Sequence, residues 1–229
     1  RYLPSTSIIS LPSKLSTRLS SGALVEISEQ TNYPFEEQIA FTVSLPERKH
    51  RSAEFPFDLR IPEWSNGYTL TINGEQVKAQ DVRKGTIRVN RAWNDGDKMI
   101  LTLNATVRQT RWYDSAAVIE RGPLVYALKM EEKWEKHICE GDDKEKYGEY
   151  YYEVTSPTRW NVALRQNDLA ANNIAKAFVV EKSECTNKPW SLEKAPIKIK
   201  ASAHVLPTWG LAHNSVADFA YYSQQPPKG

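Results

Sequence analysis

The chain has 229 residues, 40% of them hydrophobic, with 7 Trp, 11 Tyr and 6 Phe, which is enough for one large domain or two modest ones with real cores. Its 30 Lys and Arg offset 28 Asp and Glu to a formal +2, so there is no electrostatic case for nucleic acid or an anionic membrane as partner. No apolar run reaches the ~18 residues of a transmembrane helix, and no membrane insertion is expected.

From the N-terminus the strand signals come early and repeat. Arg1 opens without an initiator Met or a signal-peptide pattern, so the expectation is a piece of a longer protein. "ALVEISEQ" (23–30) sets apolar residues among polar ones. "QIAFTVSL" (38–45) alternates Ile39, Phe41, Val43 and Leu45 with polar or small neighbours, the period of a strand with one apolar face. "FPFDLRI" (55–61) and "YTLTIN" (68–73) repeat the pattern. Asn73–Gly74 then offers a two-residue hairpin turn, since both residues tolerate positive φ. "TIRVN" (86–90), a turn at "NDGD" (94–97), "KMILTLN" (98–104), "TVRQTRW" (106–112) and "AAVIERGPLVYALK" (116–129) complete the series, the last broken at Gly122–Pro123. Short strands with turns every 8–12 residues predict an all-β fold, an antiparallel β-sandwich of the jelly-roll or Greek-key type over residues 1–130.

Residues 131–149 change character. They are strongly charged and read as a linker with one short helix over Glu131–Ile138. Residues 150–229 give a second, smaller β-sandwich-like region, with strands expected at "YYYEVT" (150–155), "WNVAL" (160–164), "AFVVEK" (177–182) and "APIKIKASAHV" (195–205). The tail from His213 carries little pattern and is expected to be partly disordered, leaving this region possibly incomplete at its C-terminus.

Chemical motifs are sparse. The sequence holds no dinucleotide fingerprint, P-loop, HExxH or GxSxG. His50, His137, His204 and His213 show no metal-ligand spacing, and Cys139 and Cys185 form no CxxC and are expected to be free thiols. The acidic neighbours Glu36–Glu37, Glu131–Glu132 and Asp142–Asp143 point to opposite sides of a strand and read as solvated surface. Asn104–Ala105–Thr106 fits a glycosylation triplet, which matters only in a eukaryotic secretory setting. The aromatics carry more information. Trp64, Trp112, Tyr113 and Trp160 fall near strand ends, where flat rings either stack on sugar faces or plug a domain interface. "TRWYDSA" (110–116) gathers Arg111, Trp112, Tyr113 and Asp114, a mixture suited to binding a polyol or pinning a partner domain. Trp64, Arg111, Trp112, Tyr113, Asp114 and Trp160 are therefore the candidates for carbohydrate binding or domain contact, with no catalytic residue and no metal ligand assigned.

Several phrases in order resemble one family: "TNYPFEEQIAFTV" (31–43), "FPFDLRIPEW" (55–64), "IRVNRAWNDGDKMILTL" (87–103), "RWYDSAAVIERGPLVYALK" (111–129) and "YYEVTSPTRWNVAL" (151–164). Together they resemble the C-terminal β-sandwich region of the β-L-arabinofuranosidase-like proteins, glycoside hydrolase family 127 and its relatives, which Bacteroides-type bacteria carry in number. The resemblance implies an upstream (α/α)6 barrel with a cysteine nucleophile and a zinc held by cysteines and a glutamate. None of those residues matches a position here, so no cofactor is expected in this segment. The partner implied is the catalytic barrel of the same polypeptide, with an oligosaccharide as a second partner. Two roles stand: a non-catalytic support for a barrel acting on arabinofuranosyl-type plant glycans, or a carbohydrate-binding module. A third makes Glu36 or Asp114 catalytic. The resemblance implies a periplasmic or secreted parent.

Overall fold

A computed structural model describes residues 5–7, 11–47, 49–79, 81–83, 85–113, 116–212 and 215–216. The chain divides into two compact units, Arg1–Tyr126 with Glu181–Lys198, and Ala127–Val180 with Ile199–Gly229.

The strands of the first unit are, in chain order, β1 (Ser5–Ser7), β2 (Ser13–Arg18), β3 (Leu24–Thr31), β4 (Gln38–Ser44), β5 (Ser52–Arg60), β6 (Tyr68–Ile72), β7 (Glu75–Gln76), β8 (Asp81–Arg83), β9 (Thr86–Asn94), β10 (Lys98–Leu103), β11 (Val107–Arg111), β12 (Ala117–Arg121) and β13 (Leu124–Tyr126). They form a six-stranded sheet in the order β2-β3-β4-β10-β6-β7, a four-stranded sheet β1-β5-β9-β8, and a three-stranded sheet β11-β12-β13. The two larger sheets share one core. Ile39, Phe41 and Val43 of β4 and Met99, Leu101 and Leu103 of β10 meet Phe55, Phe57 and Leu59 of β5 and Ile87, Val89 and Trp93 of β9. Phe41 and Phe57 cross between the sheets edge to face, with ring centroids 5.2 Å apart. Each such side chain contributes ~1.5–3 kcal/mol by leaving water, so the alternation read in the sequence is the main source of the unit's stability. Trp93 is fully buried and its indole N–H donates to the Phe55 carbonyl at 3.1 Å, which satisfies the one polar atom that burial would otherwise leave unpaired.

Two turns fix the register. Asn73 (φ 52°) and Gly74 (φ 87°) make the β6–β7 hairpin with the positive φ values that turn requires. The Asn73 amide donates to Asp97 at 2.9 Å and its carbonyl oxygen accepts from the Lys98 backbone N–H at 2.9 Å. Asp97 also accepts from the Asn94 N–H, and Asp95 accepts from the Leu45 N–H. The NGE and NDGD turns thus lock each other.

Among the described strands of the first unit, one pair is parallel. β1 runs parallel to β5, with Ser5 opposite Phe57. Parallel neighbours need a long crossover, and the chain supplies it by building β2 to β4 in the other sheet first. The sequence also gives no hint of β2, which is largely exposed, carries Lys14 and Arg18, and lies at a sheet edge. Edge strands protected by charge lack the alternation that marks interior ones.

In the second unit the charged stretch is a strand where a helix is expected. β14 (Lys133–Ile138) pairs antiparallel with β15 (Tyr150–Thr155), Trp134 opposite Val154 and His137 opposite Tyr151. The short helix α1 lies later, at Asp142–Tyr147, between Gly141 and Gly148, with Asp142 and Asp143 in its first turn where the helix dipole favours acids. Pairing with the aromatic strand β15 overrides the helical spacing of Trp134 and Ile138. Further along the chain come β16 (Val162–Leu164), α2 (Ile174–Ala177), β17 (Val179–Lys182) and β18 (Ile197–Lys200), two strands that each belong partly to the first unit, then β19 (Ala203–Val205), β20 (Leu211–Ala212) and β21 (Ser215–Val216). β16 pairs with β19, β17 with β18 and β20 with β21. The pairs β4–β10, β5–β9, β14–β15 and β16–β19 are all antiparallel.

Candidate functional site

The hairpin β11–β12 carries the candidate site to its tip. Arg111 ends β11, and the tip closes through Trp112 N–H to Ala116 O and Ala116 N–H to Tyr113 O, both 3.1 Å. Trp112 is 58% exposed and Tyr113 is 86% exposed, so two large rings stand in solvent. The Trp112 indole N–H donates to Thr110 Oγ1 at 3.0 Å, which holds that ring beside its own strand. Asp114 lies outside the described residues.

Behind the tip the sheet is polar rather than open. On one face Glu120 of β12 accepts from Arg108 and, at 2.7 Å, from Thr110 of β11. On the other face Arg121 donates to Glu37, and Lys182 reaches both oxygens of the same carboxylate at 2.8 Å. Burial alone raises the Glu37 carboxyl, but hydrogen bonds from Lys182 and Arg121, with their charges, outweigh it and hold the group below its ordinary value. Tyr126 shares this face, and burial pushes its phenol upward, with Arg121 opposing and Glu37 adding. The Tyr126 hydroxyl and Gln109 Oε1 are buried without a hydrogen-bond partner.

The described candidates of the first unit do not gather into one place. Trp64 is half-buried, packs on the core and stacks on Tyr33 at 6.4 Å. It also lies against Gly122 (φ 58°), in the β12–β13 turn; an added Cβ there would meet the indole at 3.9 Å. That turn and the Trp112 tip sit at opposite ends of β12, roughly 17 Å apart at strand rise. Trp160 belongs to the second unit, where it meets Trp209 edge to face at 5.4 Å. Of the described candidates in the first unit, Arg111, Trp112 and Tyr113 stand together as an exposed group.

The acids of the first unit are mostly engaged. Asp58 takes two hydrogen bonds from Arg88, at 2.6 and 2.7 Å, across β5 and β9. Asp97 serves the turns and Glu37 and Glu120 are held by cations. A shallow hollow lined by Thr31, Asn32, Glu36 and Gln38 carries one acid, and Asn32 donates to it at 3.0 Å. Cys139 is a buried free thiol of the second unit, and Cys185 is a half-buried free thiol of the first. They do not fit a zinc centre of clustered cysteines and a glutamate. Among the described residues the side chains that do converge as metal donors are Glu135, His137 and Glu153, without a thiol. Sequence reading missed both this trio and the Glu37–Arg121–Lys182 cluster. The i, i+2 spacing of Glu135 and His137 was visible, but a helical reading places such residues on different faces. Glu37 and Lys182 lie 145 positions apart, and no local pattern links them.

Residues 9–105 match the family profile described as "Beta-L-arabinofuranosidase, GH127 middle domain". A curated relative, the non-reducing end beta-L-arabinofuranosidase of Bifidobacterium longum subsp. longum, is 30% identical over 132 residues, covering 53% of this chain and 20% of that protein. The chain thus spans about a fifth of that relative's length. Among solved structures, a GH127 beta-L-arabinofuranosidase from Geobacillus stearothermophilus T6 superimposes with a TM-score of 0.51 at 24% identity, over 78% of this chain and 23% of the other. At that identity the likeness speaks for the fold.

Proposed function

We propose that this chain, whose residues 9–105 match the GH127 middle domain, belongs to glycoside hydrolase family 127 and is the non-catalytic β-sandwich portion of a hydrolase acting on arabinofuranosyl-type plant glycans. Its role is to pack against an upstream (α/α)6 barrel and support it. The observation that carries this reading is the state of the first unit's carboxylates. Retaining hydrolysis needs a nucleophile and a proton donor facing one bond, ~5–5.5 Å apart for two carboxyls. Here Glu37, Asp58 and Glu120 are tied to Arg or Lys, and Glu36 lines its hollow alone. Glu135 and Glu153 of the second unit do approach one another, but both stand exposed on a hairpin face. The surface suited to a partner domain is the tip with Arg111, Trp112 and Tyr113. Its exposed rings offer apolar area at little entropic cost on docking. A periplasmic or secreted setting goes with this substrate class.

The exposed aromatics favour a second reading. Trp112 and Tyr113, and Trp134, Tyr150 and Tyr152 on the β14–β15 hairpin, are the ring types that stack on sugars. Titration of the chain with arabinan and arabinogalactan fragments separates the two. Support predicts no saturable glycan binding, and tight association with a separately expressed catalytic barrel that weakens in Trp112→Ala. Saturable glycan binding lost in Trp112→Ala or Trp134→Ala transfers the role to the binding module.

A further inference from the structure

We propose that Glu135, His137 and Glu153 form a binding site for one divalent first-row cation, best suited to Zn2+, on one face of the β14–β15 hairpin. The inference starts from the register. Glu135 of β14 lies directly opposite Glu153 of β15, and His137 follows two residues on, opposite Tyr151. Period-2 geometry puts all three side chains on one face. One donor atom from each lies within 4.8 Å of the other two. Zinc bonds of ~2.0–2.2 Å need donors about 3–4 Å apart, so a small rotation of two exposed glutamates closes the site.

Three further features separate the trio from an ordinary acidic surface. The two carboxylates face each other directly across the ladder, an arrangement that repels unless a cation lies between. Lys133 already meets Glu135 Oε1 at 2.5 Å, neutralising one charge and leaving that residue's second oxygen free. The trio with Lys133 then carries a net negative charge when the imidazole is neutral, which suits a dication. Second, the imidazole is oriented in advance. It stacks on Tyr151 with centroids 5.0 Å apart and planes 16° from parallel. Third, His137 Nε2 is fully covered and makes no hydrogen bond, although Glu153 Oε2 is only 3.2 Å away. The His137 ring is 39% exposed, and its Nε2 lies near enough to Glu153 Oε2 for one cation to take both atoms as donors. One nitrogen and two carboxylates favour zinc over calcium or magnesium, which select all-oxygen sets. Three protein donors leave a fourth position to water. The cation would tie together an isolated two-stranded hairpin, an element of marginal stability by itself.

The test is calorimetric titration of the full 229-residue chain, without a histidine tag, with Zn2+ in a non-chelating buffer, backed by Co2+ visible absorption. The expected result is one ion per chain, with affinity lowered ~10-fold or more in His137→Ala and in the near-isosteric Glu153→Gln, and unchanged in Cys139→Ser/Cys185→Ser. Far-UV circular dichroism of each metal-free variant should match the parent. Absence of saturable Zn2+ binding overturns the proposal. Binding that survives both His137→Ala and Glu153→Gln, or that vanishes with the cysteines, overturns it equally.

Discussion

Glu37 shows how one side chain joins distant parts of the sequence. Arg121 and Lys182 both donate to it, and together they hold its carboxyl below the ordinary value of 4.5 despite the burial that opposes them. A carboxyl depressed in the folded state contributes stability that is fully present above its unfolded value and lost as pH falls through the folded one. Denaturant unfolding should therefore show stability declining as pH drops below about 4.5, and Glu37→Gln should be weaker at neutral pH with a shallower acid decline. An identical slope in the variant would assign the acid sensitivity to other carboxylates. The cysteines make a second residue-scale expectation. Cys139 is 5% exposed, whereas Cys185 is half-buried, with burial and then Glu36 pushing its thiol up. Access outweighs thiolate fraction when one thiol is sealed. A thiol reagent should label Cys185 first and Cys139 only on unfolding, as mass spectrometry of the native chain will read. The Glu37–Lys182 contact was not visible in the sequence, because proximity across 145 positions leaves no periodic trace.

At the scale of elements, strands with one buried face were legible and those without one were not. β4 and β10 bury every second residue, and β5 and β9 follow the same alternation except that Asp58 is also buried and Arg91 is only half-buried. β2 is polar at an edge, and β14 was hidden by Trp134 and Ile138 standing four apart, a spacing a helix also satisfies. The turns were legible because Asn73–Gly74 needs positive φ and few residues supply it. Their mutual locking was not, since it depends on Asp97 accepting from Asn73 across the sheet. Asp97→Ala should cost ~1–3 kcal/mol, because it strips acceptors from the Asn73 amide and the Asn94 N–H. Thermal unfolding of the full chain measures it, and a change under 0.5 kcal/mol would show that the turns hold without this lock. The candidate site was only partly legible for the same reason. The sequence placed Arg111, Trp112 and Tyr113 together because they are neighbours, but Trp64 and Trp160 shared with them only a residue type.

At the scale of the whole molecule, the alternating pattern and the family resemblance lead to the same sandwich. Residues 9–105 match the GH127 middle domain, and the core they build is closed by Trp93, Phe41 and Phe57. Trp93→Ala should cost ~3–5 kcal/mol, by lost transfer energy, a cavity and an unpaired Phe55 carbonyl, and a loss below 1 kcal/mol would deny the core this centre. The proposed supporting role requires that this chain carry no hydrolytic activity of its own. The most direct measurement is hydrolysis of an aryl β-L-arabinofuranoside by the purified 229-residue chain. The account predicts release of the aryl group no faster than in buffer, at any substrate concentration. Saturable turnover, abolished by Glu36→Gln or Asp114→Asn, would contradict it.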